Sequence, residues 1–146
     1  MLNGKLIHPQ LLSGLASSGH GSKILIADGN FPFQTHTNPA AHQIFLNLSP
    51  GLVGCVDVLR AICSTIVVEN SLVMAPAEFG EYAVPTPEIW SEFEQVLSES
   101  GNPAELQKVG RFPFYDFCRQ DDLAIVVATG EQKIYANLLL TIGVVR

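Results

Sequence analysis

Short apolar runs separated by glycine, proline and polar residues make up most of this chain. The run KILIAD at residues 23–28 is apolar except at its two ends, which is typical of a buried strand. The segment HQIFLNL at residues 42–48 alternates apolar and polar residues, as a half-buried strand does. Similar runs predict further strands at residues 71–77, 105–109, 123–130 and 137–144.

Apolar residues at helical spacing predict four helices, at residues 9–18, 52–65, 86–100 and 112–119. In the third of these, the clearest, Thr86 is the predicted N-cap and Pro87 the first helical residue. Because strands alternate with helices, the sequence predicts an α/β fold: a single compact domain over residues 1–146, with a mixed β-sheet flanked by helices.

The composition argues against two classes of binding partner, nucleic acids and membranes. The net charge is −6 with only 8 lysines and arginines, so the chain lacks the basic face that nucleic acids or anionic membranes require. No apolar run is long enough to span a bilayer, and the first residues lack the pattern of a secretory signal. We therefore expect a cytoplasmic protein with no nucleic-acid or membrane partner. The apolar fraction of 47% against 15% charged residues favours a homo-oligomer that buries the remaining apolar surface.

Cysteines and histidines give no sign of a metal or cofactor. Three cysteines without a Cys-x-x-Cys spacing are expected to be reduced core thiols. His36 and His42 have no third ligand at metal spacing, and with His8 they are expected to be solvated loop residues. The glycines around His20 follow a predicted helix rather than opening one, so they do not form a phosphate-binding loop. We expect neither a metal nor an organic cofactor.

Polar side chains stand at the ends of three predicted strands. Asp28 and Asn30 end the first strand, Thr129–Gly130–Glu131 ends another, and Tyr135 and Asn137 precede the last. In α/β folds such positions commonly line ligand sites. These hydrogen-bonding types carry little charge, which suits a neutral polyhydroxylated ligand such as a sugar.

Each of these positions also has a simpler interpretation. His20 would fit the C-terminus of a helix, where the helix dipole favours a cation. Asp28 would fit a turn, and Arg111 would fit the solvated surface. From the residues alone, both interpretations stay open.

Four stretches carry a resemblance to a known family: LASSGHGSKILIADGNFP, VGRFPFYDF, AIVVATGE and YANLLLTIGVV. In this order, and over nearly the whole length, the chain resembles the ribose pyranase and fucose mutarotase family. The resemblance implies a compact α/β domain that assembles into a ring, typically a decamer. It also implies a monosaccharide substrate and active sites at subunit contacts.

The resemblance implies roles for seven residues. His20 would be the proton donor, and Asp28 would hold a sugar hydroxyl or orient the imidazole. The remaining sugar contacts would be Arg111, Tyr115, Tyr135, Ala136 (through its backbone) and Asn137. An arginine before Phe-x-Phe-Tyr favours the fucose branch, whereas Ala136 matches the ribose branch. The segment 33–42 belongs to this chain alone and is expected to reshape the rim of the pocket.

The implied reaction opens a sugar hemiacetal to the aldehyde and closes it on the other face. It needs a proton delivered to the ring oxygen and another removed from the anomeric hydroxyl, for which imidazole is suited near neutral pH. The expected function is therefore an L-fucose mutarotase. The alternatives are a D-ribose pyranase, a non-catalytic sugar-binding protein and, most distantly, a metal-dependent hydrolase. In this hypothesis the strand at 23–28 sets a fixed spacing between His20 and Asp28.

Overall fold

The computed structural model describes all residues from Met1 to Arg146. It contains four helices and six strands, numbered along the chain. They are α1 (Pro9–Ser17), β1 (Lys23–Ala27), β2 (His42–Phe45), α2 (Cys55–Cys63), β3 (Val68–Met74), α3 (Ile89–Glu99), β4 (Leu106–Val109), α4 (Arg111–Cys118), β5 (Leu123–Ala128) and β6 (Leu138–Ile142).

All six strands form one sheet in the order β2-β5-β1-β6-β3-β4. Strand β6 is antiparallel to both of its neighbours, β1 and β3, and every other pair of neighbours is parallel. The strands β1 to β5 therefore point the same way. We call the edge where they end, and where β6 begins, the carboxyl edge; the opposite edge, where β6 ends, is the amino edge. The mixed α/β sheet predicted from the sequence is confirmed.

The sheet is covered on both faces, which explains why its central strands are almost wholly apolar. Successive residues of β1 point to opposite faces. Ile24 and Ile26 belong to a cluster of 25 buried residues that includes side chains of α1, α2 and α3. Leu25 and Ala27 belong to a second cluster of 11, which α4 covers. The sheet thus lies between two packed layers, which hold the strand ends at the carboxyl edge in place.

Most elements differ from their predicted boundaries by one to three residues, and for three of them the structure shows the reason. The predicted cap at Thr86 is wrong, because α3 begins at Ile89 after a tighter turn in which the Trp90 amide donates to the Pro87 carbonyl (3.2 Å). Helix α2 is shorter than residues 52–65, since residues 49–52 close a small turn of their own. Strand β3 begins at Val68 rather than at residue 71, because pairing with β6 continues through polar positions.

The three cysteines are free and buried, as predicted. Burial raises the pKa of Cys55 to about 12 and that of Cys118 to about 12, so both thiols stay protonated at physiological pH. No group of three or more histidine, cysteine, aspartate or glutamate side chains is arranged to hold a metal ion. None of the four helices has the length and apolarity to cross a membrane.

Candidate functional site

A buried polar pair stands at the centre of the carboxyl edge. Asp28 follows β1 and Asn137 precedes β6, and because these strands are neighbours the two side chains meet. The Asn137 amide nitrogen donates to Asp28 Oδ2 (2.9 Å), and the Asp28 backbone N–H donates to Asn137 Oδ1 (2.9 Å). The Asn30 backbone N–H donates to Asp28 Oδ1 (3.0 Å). Both side chains are about 95% buried, with relative exposures of 4% and 5%.

Burial raises the pKa of the Asp28 carboxyl above its ordinary value. Backbone groups of Asn30, Ala136 and Phe31 and the side chain of Asn137 oppose the shift, but desolvation is the largest cause. A carboxyl in this position takes up a proton more readily than a solvated one. It can therefore accept a hydrogen bond from a ligand hydroxyl or, when protonated, donate one.

Tyr135 occupies the loop that leads into β6 and has a left-handed backbone, with φ of 58°. That conformation costs a residue with a Cβ about 1–2 kcal/mol. Its carbonyl accepts from Trp90 Nε1 (3.1 Å), and its hydroxyl accepts from the Ala77 amide (3.0 Å) and donates to the Tyr82 carbonyl (2.9 Å). The hydroxyl of Tyr135 is thus engaged with two backbone groups and holds residues 77–82 against the carboxyl edge.

Arg111 and Tyr115 lie one helical turn apart at the start of α4, which begins at the end of β4. Arg111 Nε donates to the Tyr115 hydroxyl (3.2 Å), and the guanidinium carbon lies 5.7 Å from the centroid of the same ring. This hydrogen bond is the largest cause that raises the pKa of Arg111, and the hydroxyls of Tyr135 and Tyr82 contribute less. The exposed guanidinium of Arg111 therefore lies near Tyr135 and Tyr82. We call the surface formed by Arg111, Tyr115, Tyr135 and Tyr82 the rim of the carboxyl edge.

Six of the seven predicted site residues thus lie at one edge of the sheet. Ala136 is fully buried between Tyr135 and Asn137 and presents only its backbone there.

His20 lies at the opposite edge. It occupies the turn between α1 and β1, before Lys23, whereas Asp28 follows the last residue of β1. The five residues of β1 alone separate the two positions by about 16 Å, at about 3.3 Å per residue. His20 Nε2 pairs instead with Glu69 Oε2 of β3 at 2.7 Å. The expectation that Asp28 orients this imidazole is therefore wrong within one chain, because an extended strand keeps its two ends apart.

A family model described as the RbsD / FucU transport protein family matches residues 1–145. The chain belongs to this family. It is 35% identical to the fucose mutarotase of Homo sapiens over 146 residues, which cover 95% of this chain and 90% of the relative. It is 33% identical to the D-ribose pyranase of Paracidovorax citrulli over 140 residues, which cover 95% of each chain.

The fold of this family member also matches a solved structure. The crystal structure of the fucose mutarotase from Streptococcus pneumoniae in complex with L-fucose superposes with a TM-score of 0.81 at 27% sequence identity. The match covers 96% of this chain and 95% of the other.

Two side chains near the predicted residues were not indicated by the sequence. Glu69 falls among polar residues before the apolar part of β3, so the pattern gave no sign that it would reach His20. His36 was expected to be solvated, but its ring packs on Tyr115 with a centroid separation of 4.5 Å. The segment 33–42 thus adds an imidazole beside the Arg111–Tyr115 pair. His8 caps α1, since its Nδ1 accepts from the Leu11 amide (3.3 Å).

The third polar strand end, after β5, lines a separate cleft. Thr129, Gly130 and Glu131 surround it together with Asn30 and Asn47, and Pro50 is the one apolar side chain that lines it. The Thr129 hydroxyl donates to the Ala27 carbonyl (2.7 Å). Glu131 Oε2 accepts from the backbone N–H of Cys55 (3.3 Å) at the start of α2. The side chains of Thr129 and Glu131 thus hydrogen-bond to backbone groups of the protein.

Proposed function

We propose that this family member is a mutarotase that interconverts the anomers of a free monosaccharide, with L-fucose as its substrate. The observation that carries the proposal is the group of hydrogen-bonding side chains at the carboxyl edge, which includes the buried Asp28–Asn137 pair and the Arg111–Tyr115 pair. Such a group suits several hydroxyls of a neutral sugar. The similarity to proteins named fucose mutarotase and D-ribose pyranase supports the same class of reaction.

Two copies of the chain would complete each active site. His20 is the proton donor in this proposal, yet it lies at the amino edge of its own chain, away from the sugar-holding residues. If the amino edge of one copy meets the carboxyl edge of the next, the contact is head-to-tail. Repeated head-to-tail contacts form a ring when the rotation between neighbouring copies closes on itself. Exposed apolar side chains stand at both edges: Phe79 and Phe112 near the carboxyl edge, and Val144 and Val145 beyond β6. We propose a ring, a decamer, with its active sites at the subunit contacts.

The reaction in such a site is acid–base catalysis. His20 gives a proton to the ring oxygen, the bond between that oxygen and the anomeric carbon breaks, and the anomeric hydroxyl gives its proton to a solvent water molecule. Rotation of the aldehyde and the reverse steps produce the other anomer. Asp28, Arg111 and Asn137 hold the other hydroxyls throughout, and the ring of Tyr135 or Tyr115 covers the apolar face of the sugar. Holding the sugar in this way gains from orientation.

The second candidate is a D-ribose pyranase, in which ring opening is followed by closure to the other ring size. Ala136 favours it, whereas Arg111 ahead of Phe-Pro-Phe-Tyr favours L-fucose. A non-catalytic sugar-binding protein is the third candidate. It would have no need of a proton carrier at position 20.

Saturation-transfer NMR on the anomeric protons of fucose, ribose, galactose and glucose tests the proposal. We expect acceleration of exchange with fucose above the other sugars, and no loss of activity after dialysis against a chelator. Exchange with ribose alone would favour the pyranase. Binding without exchange of any sugar would favour the non-catalytic protein.

Variants separate the proposed roles. His20→Ala is expected to lower exchange by about a hundredfold to ten-thousandfold, the usual contribution of a placed proton carrier, while much of the sugar affinity remains. Arg111→Ala is expected to weaken binding by about 1.5–3 kcal/mol, since a charged hydrogen bond is present before and during ring opening. Arg119→Ala, which removes an exposed arginine paired only with Asp116, is the matched control. Loss of binding together with exchange in a folded His20→Ala variant would contradict the assigned role.

A further inference from the structure

The segment between β3 and α3 leaves the sheet between two of the proposed sugar-holding side chains. In the sheet order, β3 lies between β6, which Asn137 precedes, and β4, which ends just before Arg111. Neighbouring strands lie about 4.8 Å apart, so β6 and β4 are about 10 Å apart at the carboxyl edge. A sugar held by Asn137 on one side and by Arg111 on the other therefore lies beside the residues that follow β3.

Hydrogen bonds hold this segment across the space between β4 and β6. The Ala75 amide donates to the last carbonyl of β4 (2.7 Å), and the Ala77 amide donates to the Tyr135 hydroxyl beside β6 (3.0 Å). The same hydroxyl donates to the Tyr82 carbonyl (2.9 Å). One side chain thus fastens both ends of residues 77–82, and every residue in this range is exposed.

A tight turn within the segment determines where Tyr82 lies. Gly80 has a left-handed backbone, with φ of 93°, which glycine adopts about as readily as a negative φ. The Ala83 amide donates to the Gly80 carbonyl (3.1 Å) and closes the turn. Because Tyr135 binds the backbone carbonyl of Tyr82, the side chain of Tyr82 takes no part in holding the segment.

Tyr82 has the most accessible ring of the three tyrosines. It is 63% exposed, whereas Tyr115 is 7% exposed. The hydroxyls of Tyr115 and Tyr135 are engaged in hydrogen bonds, but the Tyr82 hydroxyl has no partner. After the larger effect of Tyr115, Tyr82 contributes to the raised pKa of Arg111, which indicates that its hydroxyl lies near the guanidinium. The Tyr82 ring is therefore free to contact a ligand that Arg111 also holds.

We propose that Tyr82 is a specificity-determining residue: its ring covers the face of the monosaccharide on which the C–H groups of carbons 3, 4 and 5 lie together. This inference rests on the proposed function for the kind of ligand. The Tyr82 ring extends the aromatic surface that Tyr135 or Tyr115 presents to the same face. Aromatic rings pack on such C–H groups because their faces are flat, apolar and negatively polarised.

Contact with this face selects sugars by their configuration at carbon 4. In L-fucose the axial hydroxyl of carbon 4 lies on one face and leaves the C–H groups of carbons 3, 4 and 5 together on the other. In 6-deoxy-L-glucose, which differs from L-fucose only at carbon 4, that hydroxyl is equatorial and the C–H group points to the opposite face. The Tyr82 ring therefore loses part of its contact with the second sugar.

Titration of the protein with these two sugars, followed by NMR, tests the selection. We expect Tyr82→Ala to weaken the binding of L-fucose about 5- to 10-fold, the equivalent of about 50 Å² of apolar surface left uncovered. The binding of 6-deoxy-L-glucose should weaken by about twofold or less, so that the preference for L-fucose falls. Exchange at saturating L-fucose should stay within about twofold of the wild type, because the ring contacts the sugar before and during ring opening.

Glu81→Ala is the matched control for these titrations. Glu81 is an exposed residue of the same segment without a hydrogen-bond partner, so its removal should leave both affinities unchanged. A Tyr82→Ala variant that binds both sugars as the wild type does overturns the inference. Equal losses in Tyr82→Ala and Glu81→Ala also overturn it, since the segment and not the ring would then matter.

Magnetisation transfer from protein to sugar tests the contact itself. In deuterated protein with protonated tyrosine rings, we expect transfer to the protons on carbons 3, 4 and 5 of L-fucose. This transfer should decrease in Tyr82→Phe, where the ring is deuterated but still packs on the sugar, and unchanged transfer overturns the inference. A wild-type protein that binds L-fucose without exchanging its anomers overturns the mutarotase proposal and leaves this contact in place. A wild-type protein that binds neither sugar overturns both.

Discussion

Asn137 uses both ends of its side chain on the same neighbour. Its carbonyl oxygen satisfies the backbone N–H of Asp28, and its amide nitrogen satisfies the Asp28 carboxyl. We predict that Asn137→Ala destabilises the protein by about 1–3 kcal/mol, the cost of leaving buried polar groups unsatisfied. Urea unfolding at a fixed protomer concentration measures the loss. Asn70→Ala is the control, since Asn70 makes one exposed hydrogen bond to Gln107, and an equal loss in both variants would contradict the prediction.

The same substitution has a defined effect on pH dependence. Because burial raises the pKa of Asp28, the folded state binds its proton more tightly than the unfolded state. The stability that Asp28 contributes is therefore complete below the ordinary aspartate pKa and is lost as pH rises through the raised one. Removal of the Asn137 amide raises the pKa of Asp28 further and extends this loss to higher pH. A carbon-detected NMR titration of the carboxyl follows the shift, and a lower pKa in Asn137→Ala would contradict it.

At the scale of single residues, the sequence located polar side chains at strand ends but not their partners. Asp28 and Asn137 meet because β6 inserts next to β1, a pairing between residues 109 positions apart. The left-handed backbone of Tyr135 has no sequence signature, because tyrosine rarely adopts it. The imidazole of His36 reaches Tyr115 through the fold of a loop that the pattern marked only as irregular.

At the scale of elements, one hydroxyl fastens the loop between β3 and α3. We predict that Tyr135→Phe releases residues 77–82 while leaving the sheet intact, because the Ala77 amide and the Tyr82 carbonyl lose their partner. Amide hydrogen exchange measured by mass spectrometry should rise in a peptide that spans residues 77–82. Peptides from β1 and β5 serve as internal controls, and unchanged exchange across residues 77–82 would argue against this role of the hydroxyl.

The turn before α2 packs directly against the end of β5. A Cβ on Gly130 would clash with the carbonyl oxygens of Ser49 and Leu52 and would lie 2.7 Å from the Leu52 carbonyl carbon, all backbone atoms. We predict that Gly130→Ala costs about 1–3 kcal/mol, as overpacking does. Gly19→Ala is the matched control, because a Cβ at Gly19 meets nothing within 4 Å, and it should stay within about 0.5 kcal/mol of the wild type in chemical denaturation. Equal stability of the two variants would contradict the prediction.

Elements were predictable where burial sets the pattern. Strands β1, β5 and β6 are buried on both faces, so their apolar runs stand out in the sequence. Strand β3 was predicted to begin and end three residues too late. Its pairing with β6 carries it through Glu69 and Asn70, whose polarity hides the start of the strand. The start of α3 was predicted too early, because the local signals at Thr86 and Pro87 do not report the tighter turn that follows.

At the scale of the whole molecule, the proposed ring has a direct test. We predict that light scattering at micromolar protein gives a mass about ten times the 15.8 kDa of one chain. A monomer mass would contradict both the ring and the shared active site. Arg111→Ala, which changes an exposed residue of the rim, should keep the wild-type mass, so that its effect on binding can be read separately from assembly.

Because β1 separates His20 from the sugar-holding residues of its own chain, complementation between two variants can test the proposal. If His20 acts on a sugar held by a different copy of the chain, two variants that each exchange little sugar at low sugar concentration can complement each other, because one lacks the proton donor and the other binds the sugar weakly. Co-expression of His20→Ala with Arg111→Ala would place an intact histidine from one parent opposite an intact arginine from the other. With random mixing this occurs at about one site in four, so the mixed assembly should regain about a quarter of wild-type exchange. A mixture no more active than its parents would mean that both residues of a site come from one chain. It would therefore contradict an active site shared between two copies.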